Sequence, residues 1–340
     1  MQRRDFTVNA MAYNAEYGLV DPYGGKNDLK DKIIRCVGNP DTRFNEDALR
    51  ILRALRFASV YGFSIEENTS KSIFKNADLL KNIATERVIS EFLKLICGKD
   101  AVKILDAYRE TIAVIIPEIT VMFNFNQNNI HHSYDLWQHT LTALGTIEPN
   151  PMLRMTMLLH DIGKPFVKTT DNSGQSHFQG HQLESKKIAD RILHRLRLPS
   201  DFINKTLLLI EYHDVRFNGS KKLMKKVMNV LGTDLTKQLL EVEHADISAQ
   251  SEYQREEKLG YLKKAKTHLN EIIKDNECFK LSQLDINGKD VLNLGVKEGR
   301  DVGNILDYLL MLVVDANVPN KKSILISKAK EYIYGNQINK

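Results

Sequence analysis

The stretch MLRMTMLLHDIGKP (residues 152–165) predicts an apolar helix that ends in two side chains able to bind a metal ion. Mostly apolar residues lead up to His160 and Asp161, and Gly163 and Pro165 then stop the helix. Burying an imidazole beside a carboxylate at a helix end costs free energy unless each group finds a partner. The doublet therefore indicates a site whose other members come from elsewhere in the chain.

Four further segments offer side chains of the same kind. HHSYDLWQHTL carries His139 upstream, HFQGHQLES and IEYHDVR carry His181 and His213 downstream, and VEHADISAQ carries Asp246. Imidazoles combined with carboxylates suit a divalent transition metal, or Mg²⁺ and Mn²⁺ where oxygen ligands dominate. Such a site lowers the pKa of bound water and holds a phosphate ester for attack. The alternative is that these are unrelated core and surface residues among the ten histidines of the chain.

The order of these residues, H…HD…D, resembles the HD superfamily of metal-dependent phosphohydrolases. The resemblance implies an all-helical bundle, and it places His181 and His213 where some members hold a second metal or a phosphate. Lys164, at the helix end after the doublet, is expected to meet a phosphate or to complement the helix dipole. The metal, Mn²⁺, Ni²⁺ or Mg²⁺, is left open. The resemblance implies four direct metal ligands, namely His139, His160, Asp161 and Asp246.

Composition indicates an ordinary globular protein of 340 residues, with 42% hydrophobic and 27% charged residues. The net charge of +5 permits a nucleotide or RNA partner without requiring one. Cys36, Cys97 and Cys278 are far apart and show no CxxC spacing, which favours a reducing compartment. A charged N-terminus and the lack of a long apolar run predict no signal peptide and no membrane partner. We therefore expect a cytoplasmic location.

The periodicity predicts a mainly α fold with a small α/β segment at the front. Within residues 1–40 we expect a short helix in FTVNAMAY and strands in GLVDPYGG and DKIIRCVG. EDALRILRALRFASVYG then places Ala48, Leu52, Leu55 and Ser59 on one helix face. Further helices are predicted over 66–80, 85–97, 100–115, 134–147, 152–162, 182–197, 201–213, 221–231, 234–270, 301–314 and 321–334.

Four motifs of the front half occur in one order with short spacings: RRDFT, DPYGG, RFNEDALRILRALRF and ERVISEFLKLI. Together they are similar to the class II tRNA nucleotidyltransferases, the CCA-adding enzymes, and to the bacterial poly(A) polymerases. INGKDVLNLGVKEGRDVGNILDYLL is similar to the C-terminal segment of that family, so the resemblance covers essentially the whole chain. It implies four parts: a remnant of the nucleotidyltransferase head (1–40), a nucleotide-selecting and tRNA-binding helical neck (41–116), an HD domain (130–250) and an RNA-binding helical tail (251–340).

Asp47 and Arg50 lie three residues apart in EDALR and are expected on one helix face. A carboxylate acceptor and a guanidinium fork can together read the edges of two bases. The family uses this pair to select CTP and then ATP, and the resemblance implies the same here; the alternative is a surface salt bridge. ERVISE (86–91) matches the segment that braces this helix. The resemblance also implies that Asp5 checks the ribose 2′-OH and that four arginines contact triphosphate or tRNA: Arg3, Arg4, Arg53 and Arg56.

The sequence contains no D-x-D pair. The family transfers nucleotides with Mg²⁺ ions held by such a pair, and the resemblance places that pair before residue 1. We therefore expect a truncated gene product, or half of a split enzyme whose D-x-D head is a separate chain. The other readings left open are a stand-alone HD phosphohydrolase acting on 2′,3′-cyclic or terminal phosphates, a poly(A) polymerase, and an RNA-binding subunit.

The purified 340-residue chain alone is expected to add no nucleotides to tRNA, because the transfer needs paired carboxylates to hold Mg²⁺. The measurement is incorporation of radiolabelled CTP and ATP into tRNA. Incorporation by this chain would contradict the expectation.

Overall fold

The computed structural model describes residues 1–129, 131 and 134–337, with side chains up to residue 335. The chain is 64% helical and 5% strand, which confirms the prediction of a mainly α fold with small sheets. It divides into two compact units, residues 1–214 with 241–255 and residues 215–240 with 256–340. The division into head remnant, neck, HD domain and tail stays a prediction. The predicted HD domain begins at residue 130 and the predicted tail ends at residue 340, and both residues lie outside the described part of the chain.

Short strands and turns make up the front of the first unit. The helix expected in FTVNAMAY is wrong: only a 3₁₀ turn forms, and a strand follows it. The backbone at Phe6 pairs with Cys36, and the Thr7 N–H donates to the Arg35 carbonyl. These backbone hydrogen bonds replace the ones that a longer helix would need. The elements are the turn Thr7–Asn9, the antiparallel pair β1 (Ala12–Asn14) and β2 (Gly18–Val20), helix α1 (Gly25–Asp31), and the parallel pair β3 (Ile33–Ile34) and β4 (Ser64–Ile65).

The next part of the first unit packs around one helix. Leu52, Leu55 and Ser59 of this helix are fully buried, which confirms the predicted inner face. Ser59 Oγ donates to the Leu95 carbonyl at 2.7 Å. A Cβ at Gly98 would lie 2.1 Å from the Ser59 hydroxyl oxygen, so only glycine allows the chain to pass this close to α3. The helices are α2 (Pro40–Glu46), α3 (Leu49–Tyr61), α4 (Glu67–Asn76), α5 (Thr85–Ile96), α6 (Ala101–Ala107) and α7 (Arg109–Ala113), with 3₁₀ turns Ala77–Asn82 and Pro117–Met122.

The remainder of the first unit is a second group of helices. Asp135 and Asn150 begin the first two of them by accepting hydrogen bonds from backbone N–H groups of the first turn. The end of a long helix, residues 241–249, also belongs to this unit. The elements are α8 (Leu136–Thr146), α9 (Pro151–Leu159), α10 (Lys164–Val167), the antiparallel pair β5 (Thr169–Thr170) and β6 (Ser176–His177), α11 (His181–Arg195), α12 (Ser200–Tyr212) and α13 (Lys221–Ala249).

The single helix expected over 234–270 is wrong, because the chain breaks between Ala249 and Arg255. Ser251 N–H donates to the His131 carbonyl instead of continuing the helix, and Gln254 adopts a positive φ of 56°. The boundary expected near residue 232 appears as a kink at Gly232 inside α13, with a φ of 71°.

The second unit has a separate apolar core, which includes Val291, Leu309, Leu325 and Ala329. Its elements are the first part of α13, nearly all of α14 (Arg255–Lys274), the 3₁₀ turn Leu281–Gln283, α15 (Gly288–Leu292), α16 (Arg300–Val314) and α17 (Lys322–Gln337). Within the described ranges of the chain, no helix is both long and apolar enough to span a membrane.

Candidate functional site

The first unit brings all six predicted metal-site side chains together. His139 lies on α8, His160 and Asp161 directly follow α9, His181 begins α11, His213 ends α12, and Asp246 lies near the end of α13. One ligand atom from each of His139, His160, Asp161 and Asp246 lies within 4.8 Å of the others. Asp161, His181 and His213 form a second such group. The two groups share Asp161, and we call the six side chains the metal cluster.

Each imidazole of the metal cluster presents Nε2 to the site. A carbonyl oxygen can only accept, so a ring nitrogen beside one carries the proton and donates it. With Nδ1 used in this way, Nε2 is the atom that binds either a proton or a metal ion. The Nδ1 contacts are His160 to Met157 O at 2.7 Å, His213 to Ile210 O at 2.7 Å, His181 to Phe178 O at 2.9 Å and His139 to Ala249 O at 3.3 Å.

The inward-facing atoms are close to one another and are all electron-pair donors. Nε2 of His160 and of His181 each lie 3.2 Å from an Asp161 oxygen, and the Nε2 atoms of His181 and His213 are 3.2 Å apart. Among the described residues, His160 Nε2 and both Asp161 oxygens have no hydrogen-bond partner of acceptable geometry. Nitrogen and carboxylate donors in this arrangement fit a divalent metal ion, because a cation satisfies them all at once.

The electrostatics of the metal cluster follow from burial and opposite charge. Burial alone would raise the pKa of the Asp161 carboxyl, but the charges of His160 and Lys164 hold it well below its usual value. Burial likewise disfavours a charged His160, yet the charge of Asp161 raises the pKa of that imidazole to about 10. Positive charge on His160 and Lys164 therefore balances Asp161 when no metal is bound, and a metal ion must compete with it.

Sequence reasoning missed some residues around the metal cluster. Gln250 Nε2 donates to Asp246 Oδ2 at 2.8 Å. Glu243 is buried, and burial together with the charges of Asp246 and Asp214 raises the pKa of its carboxyl well above the usual value. Its i, i+3 spacing from Asp246 was the signal that could have identified it. Gln127, 1% exposed, accepts from Lys164 Nζ at 3.1 Å; it gave no signal because NFNQNN is typical of a loop.

Gly163 permits the close packing that brings the doublet to α11. A Cβ at this position would lie 2.4 Å from the Ser185 nitrogen and 2.7 Å from the His181 carbonyl oxygen. The Gly163 N–H instead donates to Ser185 Oγ at 2.9 Å. The glycine therefore allows the turn that carries Asp161 to approach the start of α11, where His181 lies.

The predicted nucleotide-binding pair is built differently from the expectation. Asp47 and Arg50 do not share a helix face, because Asp47 ends α2 in an extended conformation and Arg50 lies in the first turn of α3. Asp47 accepts from Leu49 N–H at 3.1 Å and from the Arg87 guanidinium at 2.9 Å. The helix break thus orients the carboxylate, and Arg87 holds it, as expected for a brace.

Arg50 is held by groups other than Asp47. One terminal nitrogen donates to Glu46 at 2.7 Å and to the Arg43 carbonyl at 3.1 Å, and the other donates to the Arg3 carbonyl at 3.0 Å. Among the described residues, Nε of Arg50 has no hydrogen-bond partner, so one edge of its fork remains for a ligand. The predicted alternative, a salt bridge between Asp47 and Arg50, does not form.

The other predicted nucleotide-binding residues lie around α3. Asp5 pairs with Arg53 at 2.7 Å, and Arg56 pairs with Glu91 at 2.6 Å while its guanidinium lies 3.8 Å from the Phe57 ring centre. The side chains of Arg3 and Arg4 are exposed. A pocket of about 420 Å³ opens beside Asp47 and Arg87. Asp5 and Arg53 already satisfy each other, so their predicted ligand contacts remain predictions.

Three family models match the chain in order. They are the poly(A) polymerase head domain over residues 1–35, the probable RNA- and SrmB-binding site of polymerase A over 62–123, and tRNA nucleotidyltransferase domain 2 over 181–329.

Known proteins with similar sequences carry related names. A CCA-adding enzyme of Ligilactobacillus salivarius is 29% identical over 98% of this chain and 71% of its own length. A multifunctional CCA protein of Legionella pneumophila (strain Paris) is 32% identical over 67% of the chain and 58% of its own length. A CCA-adding enzyme of a Geobacillus species is 49% identical over 33% of the chain. That match spans only 28% of the Geobacillus protein.

Solved structures show the same fold. The Bacillus stearothermophilus CCA-adding enzyme in complex with CTP aligns with a TM-score of 0.70 at 24% identity, covering 100% of this chain and 75% of that one. The Thermotoga maritima CCA-adding enzyme complexed with tRNA aligns with a TM-score of 0.54 at 21% identity, covering 97% and 73%. At these identities the likeness concerns the fold alone.

Proposed function

Because the chain belongs to the tRNA nucleotidyltransferase and poly(A) polymerase family, we propose that it serves CCA addition, the transfer of nucleotides from CTP and ATP to tRNA 3′ ends. In this proposal the neck selects the nucleotide, the tail binds tRNA, and Mg²⁺ supports the transfer. The observation that carries the proposal is the arrangement of Asp47 and Arg50, each anchored by neighbours of its own.

Base selection needs donors and acceptors that are rigid before the nucleotide arrives. Arg50 is fixed through one terminal nitrogen by Glu46 and the Arg43 carbonyl and through the other by the Arg3 carbonyl. These bonds use three of the five N–H groups of a guanidinium, so two remain to donate to a ligand. Each carboxylate oxygen of Asp47 accepts one described hydrogen bond and can accept another. Acceptors on Asp47 and donors on Arg50 suit the base edges of cytosine and adenine, which both offer an amino group next to a ring nitrogen.

Charge distribution supports RNA binding by the second unit, with most of the positive excess in residues 215–240 rather than in the predicted tail. Residues 215–240 and 256–340 contain 20 Lys and Arg against 13 Asp and Glu, while the whole chain has a net charge of only +5. The positive charge therefore belongs to the second unit, which suits an RNA backbone.

Arg50→Ala is expected to weaken binding of CTP and ATP roughly 5- to 150-fold, the effect of losing one two-bond base contact of about 1–3 kcal/mol. Arg50→Lys should weaken binding similarly, since lysine keeps the charge and loses the fork. The measurement is equilibrium dialysis of the chain with labelled CTP, ATP, GTP and UTP in Mg²⁺.

The control for this experiment is Lys71→Ala, which removes only an exposed ion pair with Glu67. Wild-type chain should bind CTP and ATP more tightly than GTP and UTP. Equal binding of all four nucleotides, or binding that Arg50→Ala leaves unchanged, would refute the role of the pair.

The metal cluster favours a second function, metal-dependent hydrolysis of a phosphate ester such as a 2′,3′-cyclic or terminal phosphate. His139, His160, Asp161 and Asp246 would hold one ion, and Asp161, His181 and His213 could hold a second. A bound metal would supply an activated water and a Lewis acid. The Nδ1 contacts fix the ring orientations, so Nε2 of each histidine is presented without rearrangement. The burial of His160 and Asp161 excludes bulk water from the site.

His160→Ala and Asp161→Ala are each expected to abolish Mn²⁺-dependent hydrolysis of bis(p-nitrophenyl) phosphate by the chain, because each removes a buried ligand. Release of p-nitrophenol, followed by absorbance, measures the rate. His177→Ala is the matched control, since His177 is an exposed histidine outside the cluster. Hydrolysis that survives both substitutions, or that needs no metal, would exclude this function for the site.

The remaining readings have less support. The relatives are named CCA-adding enzymes and multifunctional CCA proteins, which favours CCA addition over poly(A) addition or a purely RNA-binding subunit. A separate chain carrying the D-x-D head has no support in these comparisons. The cytoplasmic location remains a prediction.

A further inference from the structure

A lysine competes for the central ligand of the metal cluster. Lys164 Nζ lies 2.6 Å from Asp161 Oδ2, and the two side chains are 6% and 1% exposed. The ammonium is therefore a buried unit charge in contact with Oδ2, the Asp161 oxygen that faces His139 and His160. A buried charge of this kind depends on its partners for stabilisation, and Asp161 supplies a negative charge in direct contact with it.

We propose that Lys164 is a built-in counter-cation, which neutralises Asp161 when no metal is bound and opposes metal binding through charge repulsion. This inference rests on the metal site proposed above. A divalent ion and an ammonium on one carboxylate repel each other strongly in a buried site, where screening by water and salt is weak. The ion must therefore displace the ammonium from Asp161 or bind against its field.

Gln127 gives the displaced ammonium a second acceptor. Its Oε1 lies 3.1 Å from Lys164 Nζ, and its Nε2 donates to the Tyr134 carbonyl at 3.3 Å, which orients the amide. The Phe178 ring, with its centre 5.6 Å from Nζ, lines the same space. A neutral amide attracts the ammonium without attracting the metal, so Gln127 lowers the cost of moving Lys164 away from Asp161. Gln127 is thus a positioning residue that acts through Lys164.

Gln127 lies in a strap, residues 126–129, that is hydrogen-bonded to the hairpin formed by β5 and β6. Asn128 Nδ2 donates to the Gly174 carbonyl at 2.6 Å, and Asn129 Nδ2 donates to the Ser176 carbonyl at 2.8 Å. Lys168 Nζ donates to the Asn126 carbonyl at 2.9 Å. These bonds hold residues 126–129 in place independently of Lys164, so replacing Gln127 should leave the strap intact.

The test is calorimetric titration of the metal-stripped 340-residue chain with Mn²⁺. Lys164→Met should bind Mn²⁺ on the order of tenfold more tightly than wild type, because the repelling charge is gone. Lys164→Arg keeps the charge and should bind no more tightly than wild type. Lys187→Met removes an exposed lysine of α11, which pairs only with Glu184 among the described residues, and should bind as wild type does.

Gln127→Leu should bind Mn²⁺ several-fold more weakly, and the double variant Gln127→Leu/Lys164→Met should bind like Lys164→Met alone. Mn²⁺ should also raise the melting temperature of Lys164→Met more than that of wild type, since tighter binding stabilises the folded state more. This second readout confirms that each variant is folded before titration.

The outcomes separate this inference from the metal site itself. If wild type binds Mn²⁺ and Lys164→Met binds with equal or lower affinity, the counter-cation role is wrong and the metal site stands. If Gln127→Leu binds like wild type, or weakens binding equally without Lys164, the role of Gln127 is wrong. If neither wild type nor Lys164→Met binds Mn²⁺, the metal site is wrong and the inference falls with it.

Discussion

The metal cluster depends on the contacts that the Asp161 carboxylate makes with the positive and nitrogen-bearing groups around it. The two oxygens of this carboxylate face four imidazoles and an ammonium, all within 3.5 Å. Desolvation of this carboxylate is costly, so the surrounding positive charge must compensate for it. The helices that carry His139, His181, His213 and Asp246 converge on this point, and their Nδ1 contacts with backbone carbonyls orient the rings toward it. Removing the carboxylate would leave both ligand groups incomplete.

The sequence was sufficient to predict the membership of the cluster but not its electrostatic balance. His160 and Asp161 were recognisable because an apolar helix rarely ends in two polar groups without a purpose. The position of Lys164 after the doublet predicts a phosphate contact or an interaction with the helix dipole. It does not predict the contact with Asp161, which depends on how the turn at Gly163 packs on α11. The burial of Gln127 could not be predicted, because the composition of a loop does not indicate which of its side chains is buried.

The nucleotide-selecting neck shows a different limit of sequence reasoning. The buried face of α3 followed from helical spacing, because Leu52, Leu55 and Ser59 are separated by whole turns. The break between α2 and α3 did not follow, because no Gly or Pro marks it and tertiary bonds to Arg43, Arg50 and Arg87 stabilise it. The break before Arg255 also lacks a Gly or Pro, and there the Ser251 N–H donates to the His131 carbonyl instead of making a helical hydrogen bond. Local pattern predicts helices more securely than their ends.

Anomalous diffraction from crystals of the chain soaked in Mn²⁺ tests the central claim, that Asp161 organises a metal-binding cluster, most directly. The account predicts an anomalous peak, measured at the manganese edge, at bonding distance from an Asp161 oxygen and from Nε2 of His139 and His160. Peaks confined to surface carboxylates, with none at Asp161, would contradict it.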